Sequence, residues 1–163
     1  CKCGYLGDAT KECSRAPACG STYTSKISGP ILDRFDLHVE VGAEDFYDFH
    51  FTSGPDSESS AEIAERVIAA RKLQFERYEG YNIRVNNNLD GQLLVEYAMP
   101  VDEGRDMLNE AAQKFKLSMR GYNRVLRVAR TIADLAESAN VRKHHVAESL
   151  SYRKLSFGVA GNG

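Results

Sequence analysis

Residues 118–138, SMRGYNRVLRVARTIADLAES, decide the fold class. At 100° per residue, Arg120, Arg124 and Arg127 fall within an arc of about 60°, while Val125, Val128, Ile132 and Ala136 take the other side. That pattern is an amphipathic helix, and Ser118 is the residue type that caps one. Three like charges on one face repel by a few tenths of a kcal/mol per pair in an isolated helix. The cost is relieved by solvent and scattered carboxylates, or by an anionic partner. With Ser118 as N-cap, Arg120 stands at the second helical position, where the macrodipole disfavours a cation by about 0.3–1 kcal/mol. A phosphate that also uses the helix N-terminus would reverse that sign.

Helical periodicity continues outward on both sides. Upstream, SSAEIAERVIAARKLQFERY at 59–78 carries a Ser59 or Ser60 cap and sets Ile63, Val67, Ala70 and Phe75 on roughly one side, a helix of about five turns ended by Gly80. QLLVEYAM, ending at Pro100, reads as a short helix, VDEGRDMLNEAAQKFKL as another, and NVRKHHVAESLSYRKL as a last one. Before them the period is two: ILDRFDLHVEV ends on Leu37, Val39 and Val41, the alternation of a strand with one buried face. TSGPDSESS is a linker by composition. The expected architecture is mainly α, one strand and a cysteine-rich loop at the edge of an α/β layer followed by a helical bundle. Its segments are 1–51, a linker at 52–60, the helices at 61–155 and a glycine-rich tail at 156–163.

The 163 residues are 42% hydrophobic, enough for one sizeable core. No apolar run reaches the roughly 18 residues a membrane span requires, and the N-terminus lacks the layout of a signal peptide, so the expected setting is the cytoplasm. Opening on Cys1 inside a Cys-x-Cys pattern, the sequence reads as a fragment of a longer chain. Net charge is −2, yet residues 114–154 hold ten Lys and Arg against three Asp and Glu. A basic region of this kind suits a nucleotide or nucleic acid partner, or else forms a solvated helix face.

Cys1, Cys3, Cys13 and Cys19 fall within nineteen residues with the spacing C-x-C-x9-C-x5-C. In a cytoplasmic chain such thiols favour Zn2+ over disulfides, and four protein ligands would make the ion structural rather than catalytic. Unmetallated thiols are the alternative. His144 and His145 point about 100° apart on a helix, and His38 and His50 are isolated, so the histidines read as structural or solvated.

ISGPILDRFDLHVEV, followed about 85 residues later by LSMRGYNRVLRVARTIADLAES, resembles the C-terminal part of the magnesium-chelatase-like AAA+ ATPases of the ComM/YifB family and, more distantly, the SRFDL segment of MCM helicases. The resemblance implies a ring of identical subunits, expected to be a hexamer, with ATP and Mg2+ held between neighbours. It implies that Arg34, just before the last core strand, points at the γ-phosphate of the next subunit, with Asp33 and Asp36 holding its side chain, and that Arg120 in the helical lid reads the same phosphates. Arg124 and Arg127 are the fallback residues for that second role. An arginine suits such chemistry because its planar, permanently charged fork stabilises charge spreading over phosphate oxygens, an effect worth about 10³–10⁵ in rate in related systems.

The family further implies a DNA motor that promotes branch migration or unwinding in recombination. Relatives carry a second tight cysteine pair; Arg15 stands where its last member is expected, with Cys19 as substitute. The sequence holds neither a Gly-x-x-x-x-Gly-Lys-Ser/Thr loop nor an apolar strand ending in paired acids, so ATP hydrolysis by these residues alone is not expected. Two alternatives stay open. One is a helical binding module without a nucleotide role, gripping DNA through Arg124, Arg127, Arg130, Arg142 and Lys143 or contacting a protein. The other is a metal-chelatase motor subunit.

Overall fold

The computed structural model describes residues 2–6, 8, 10–39 and 58–153. The chain divides into two compact units, the first made of Cys1–Phe35 and Val39–Ser57, the second of Asp36–His38 and Glu58–Gly163.

In the first unit the described elements are α1 (Ala18–Thr24) and the single turn α2 (Gly29–Leu32). Ser28 precedes α2 with extended backbone, and Pro30 stands in its first turn, where the missing N–H costs nothing. The chain therefore enters the ILDRFD stretch through a helical turn. Among the described residues of this unit only Gly20 is buried.

The second unit is helical throughout: α3 (Ser60–Arg77), a 3-10 turn at Asn86–Asn88, α4 (Gly91–Ala98), α5 (Glu103–Lys114), α6 (Met119–Leu135) and α7 (Lys143–Ser151). Ser59 caps α3 in a reciprocal box: its hydroxyl accepts from the Glu62 N–H at 3.3 Å, while the Glu62 carboxylate accepts from the Ser59 N–H at 2.7 Å. Gly80, at φ +86°, follows the end of α3. The helix α6 is central, packing against α3, α4, α7 and the 3-10 turn, while α5 lies on α7.

The core gathers Tyr78, Leu89, Leu94, Ala98, Leu108, Val125, Leu126, Ala129, Ala133, Val141 and Val146. Gly104 lets the start of α5 approach α7, since a Cβ there would lie 3.0 Å from Pro100 Cβ and 3.1 Å from the Lys143 backbone nitrogen. The Val101 N–H donates to Val141 O at 3.0 Å beside it.

Three expectations change. No strand occurs among the described residues; Leu37 and Val39 are exposed, and the His38 N–H donates to Tyr152 O at 2.7 Å. An alternating pattern becomes a strand only where a neighbour completes the ladder, and none is present for 37–39 among the described residues. Val41, most of the 52–60 linker and the 156–163 tail lie outside them.

On α3 the expected apolar side is buried only at Ala70, joined by Gln74, whereas Ile63, Val67 and Phe75 are exposed. On α6 the buried positions are Gly121, Val125, Leu126, Ala129, Arg130, Ala133 and Asp134; Val128 and Ile132 are only partly covered, and Ala136 is exposed. The core face is thus rotated from the one the valines alone suggested, because two opposite charges neutralise each other inside it.

Candidate functional site

The N-terminal half of α6 carries the three arginines. The Ser118 hydroxyl accepts from the Gly121 N–H at 3.0 Å, fixing the helix start. Arg120 is exposed in the first turn, and its guanidinium has neither an ion pair nor a hydrogen bond among the described residues. Its two companions are occupied. Arg124, 16% exposed, donates through Nη1 to the Asp36 carboxylate. Arg127 donates from Nε to Leu89 O at 2.7 Å and keeps Nη2 3.7 Å from Asp90. The repulsion expected on this face is relieved inside the unit for two of the three charges, and Arg120 alone is left to an external anion or to water.

Arg34 belongs to the first unit, one residue past the C-cap of α2, and is exposed. Its Nη1 donates to Pro30 O at 2.8 Å, holding the guanidinium against its own turn. The expectation that Asp36 secures Arg34 is corrected, since the Asp36 carboxylate takes Arg124, 88 residues away in sequence.

A buried polar network escaped the sequence reading. Asp134 accepts from Arg77 Nη1 at 2.9 Å and Nη2 at 2.5 Å, from Asn86 Nδ2 at 2.8 Å and from Arg130 Nε at 3.1 Å. Tyr78 donates to Asn86 Oδ1 at 2.6 Å, and Arg130 also donates to the carbonyls of Ser138 and Ala139, at 2.6 and 2.9 Å. Burial alone would raise the Asp134 carboxyl, but the hydrogen bonds from Arg77 and Asn86 and the charge of Arg130 hold it below the usual carboxylate range.

The network fastens α3 and the 3-10 turn to the end of α6 and closes the carbonyls that follow it. The available signal was the spacing of Arg130 and Asp134, four apart, with Asp134 the one acidic residue in α6.

These pairings thin out the basic region. Arg130 is 2% exposed, Arg124 is taken by Asp36, and Lys143 lies 3.0 Å from Glu103. Arg130 is therefore withdrawn from the set expected to grip DNA. Arg142 is the N-cap of α7, and its backbone N–H donates to Nδ1 of the buried His145 at 3.0 Å. Burial, together with the charges of His144 and Arg130, keeps His145 below the ordinary imidazole value.

Cys3, Cys13 and Cys19 come together: their sulfurs all lie within 4.8 Å of one another, half-buried. Cys1 lies outside the described residues. The Tyr5 backbone N–H, helped by the Cys13 and Cys19 thiols, holds Cys3 down at about 7, whereas burial and the two neighbouring thiols push Cys19 up. Elsewhere, an open groove in the second unit is lined by Glu62, Glu65, Arg66, Ala69, Leu135, Ala136 and Glu137. Three carboxylates against one guanidinium make it a poor place for a phosphate.

Comparison with known proteins places matches on both units. The family model described as magnesium chelatase, subunit ChlI C-terminal, matches residues 57–153, and the model of magnesium chelatase, subunit ChlI, matches residues 1–48. The competence protein ComM of Haemophilus influenzae is 36% identical over 133 residues, covering 82% of this chain and 25% of that protein. An uncharacterized protein YifB of Salmonella typhimurium is 35% identical over 135 residues, covering 82% of this chain and 25% of its own length. An uncharacterized Mycobacterium tuberculosis protein is 35% identical over 144 residues, 88% of this chain and 28% of that one. The chain thus spans about a quarter of the length of the curated relatives it matches. Among the described residues no helix is long and apolar enough to cross a membrane.

Proposed function

Because the chain belongs to the magnesium chelatase family, of the ComM/YifB-like kind, we propose that it is the part of a ring-forming AAA+ ATPase that supplies an arginine to the neighbouring subunit's nucleotide and a lid to its own. In this reading Arg34 stabilises charge on the transferring γ-phosphoryl oxygens, and Arg120 contacts the phosphates held under the helical lid. ATP and Mg2+ are bound in the main by residues outside this sequence, which has no phosphate loop. Branch migration or unwinding of DNA by a cytoplasmic hexamer is the work we assign to the whole protein.

The observation that carries the reading is the contrast along one face of α6. Arg124 and Arg127 are consumed by Asp36 and by Leu89 O, while Arg120, at the position where the helix dipole opposes a cation, has no counter-ion among the described residues. A cation held there at a cost is explained by a ligand that the helix N-terminus also favours, and phosphate is that ligand. The set of cations proposed for a DNA-gripping module is the one depleted by internal pairing.

The test is steady-state ATP hydrolysis by the full-length protein. With Arg34→Ala, turnover falls a hundredfold or more, roughly the 3 kcal/mol of a lost transition-state donor, while ATP binding is retained. With Arg120→Ala, nucleotide affinity and turnover both drop. Unchanged turnover in both variants overturns the proposal.

A further inference from the structure

The first unit presents a packing problem. Among its described residues only Gly20 is buried, and Tyr5, Leu6, Tyr23, Ile27, Ile31 and Phe35 are between 37% and 53% exposed. The described residues of this unit bury little apolar surface with which to offset their chain entropy, and small units commonly add a cross-link. No disulfide joins Cys3, Cys13 and Cys19.

The backbone nevertheless brings these three sulfurs to one point. The Asp8 carboxylate accepts from the Thr10 N–H at 2.9 Å and its hydroxyl at 2.6 Å, and Asp8 O accepts from the Glu12 N–H at 2.8 Å, folding the first loop back on itself. A second turn, Ala16 N–H to Cys13 O at 2.9 Å, leads into α1, where the Cys19 N–H donates to Arg15 O at 2.9 Å. Leu6 then closes over Gly20, where a Cβ would lie 2.4 Å from Leu6 Cδ2. Gly20, next to Cys19, leaves room for the Leu6 side chain to close against α1 beside the cluster.

Three points mutually within 4.8 Å have a common centre at most about 2.8 Å from each, and a zinc-thiolate bond is about 2.3 Å long. A shift of about half an ångström per sulfur completes the geometry. Sulfur donors, with no carboxylate or imidazole in the cluster among the described residues, select soft or borderline ions over Mg2+ and Ca2+.

We infer that Cys3, Cys13 and Cys19 supply three of the ligands of a structural site for a thiophilic divalent ion of the zinc class, which cross-links the described part of the first unit. The ion holds the Cys3 loop, the turn after Cys13 and the start of α1 together. Its role is separate from nucleotide chemistry, so it stands or falls apart from the roles given to Arg34 and Arg120.

The experiment uses the full 163-residue chain, purified under reducing conditions. Metal analysis is expected to find about one zinc per chain, falling to under about a tenth in Cys13→Ser. Since that variant alters folding as well as ligation, the wild-type chain stripped by a chelator is titrated with Co2+, which should produce thiolate-to-metal charge-transfer absorption that Zn2+ abolishes. Stripping should also open residues 2–35 to limited proteolysis while the helical circular dichroism of the second unit stays unchanged. Four freely titratable thiols in a metal-free, protease-resistant chain, a disulfide among Cys3, Cys13 and Cys19, or absence of the cobalt signal overturns the inference.

Discussion

Replacing Asp134 by Asn tests whether the polar network holds the helical unit together. The carboxylate accepts two hydrogen bonds from Arg77, one from Asn86 and one from Arg130, and its side chain is fully covered. Asparagine keeps one acceptor but turns an NH2 toward guanidinium donors. Arg130, 2% exposed, and Arg77, 16% exposed at its side chain, are then left without their counter-ion. Breaking a buried pair from one side costs about 3–5 kcal/mol, most of it the stranded charge. For a domain of this size, at about 4–8 °C per kcal/mol, the lower figure is a fall in Tm of at least about 12 °C.

Urea unfolding at pH 7, followed by circular dichroism, measures the loss as a lower midpoint at unchanged slope. Adding Arg130→Met to Asp134→Asn should cost less than the sum of the two single changes, because the second removes the charge stranded by the first. The depressed carboxyl also sets a pH dependence. The wild-type advantage is complete above the unfolded value of about 3.9 and disappears as pH falls through the lower folded one. A loss below about 1 kcal/mol at pH 7 would mean that water screens the network, and the account of how α3 is fastened to α6 would be refuted.

His145 is held neutral by burial, so protonation favours the unfolded chain. Stability should be full above about 6.5 and decline as pH drops through that value toward the lower folded one. His145→Gln, which keeps an acceptor for the Arg142 N–H without a titrating ring, should flatten the slope of Tm between pH 7 and 5.5; an unaltered slope would assign it to other groups. The Asp36 and Arg124 pair is 41% and 16% exposed at its side chains, so a double-mutant cycle with alanines should give a coupling of about 1 kcal/mol or less. A coupling above about 2 kcal/mol would show that the pair is far better shielded than its exposure implies.

Local chemistry was legible in the sequence. The 3.6-residue period located every helix of the second unit, and Ser59 and Ser118 marked two starts, because capping and periodicity depend on residues within a turn of one another. The same spacing put Arg120, Arg124 and Arg127 on one face, and the four cysteines within nineteen residues pointed to a metal. What each of these groups meets was not legible. Asp36 finds Arg124 across 88 residues, Asp134 finds Arg77 across 57, and Cys3 meets Cys13 and Cys19 through the turns between them. Those meetings decide that Arg130 is buried rather than basic surface, and that Arg120 is the exposed arginine of its face. A side chain's type is written in its codon, but its counter-ion is chosen by chain closure, where desolvation and pairing are settled together.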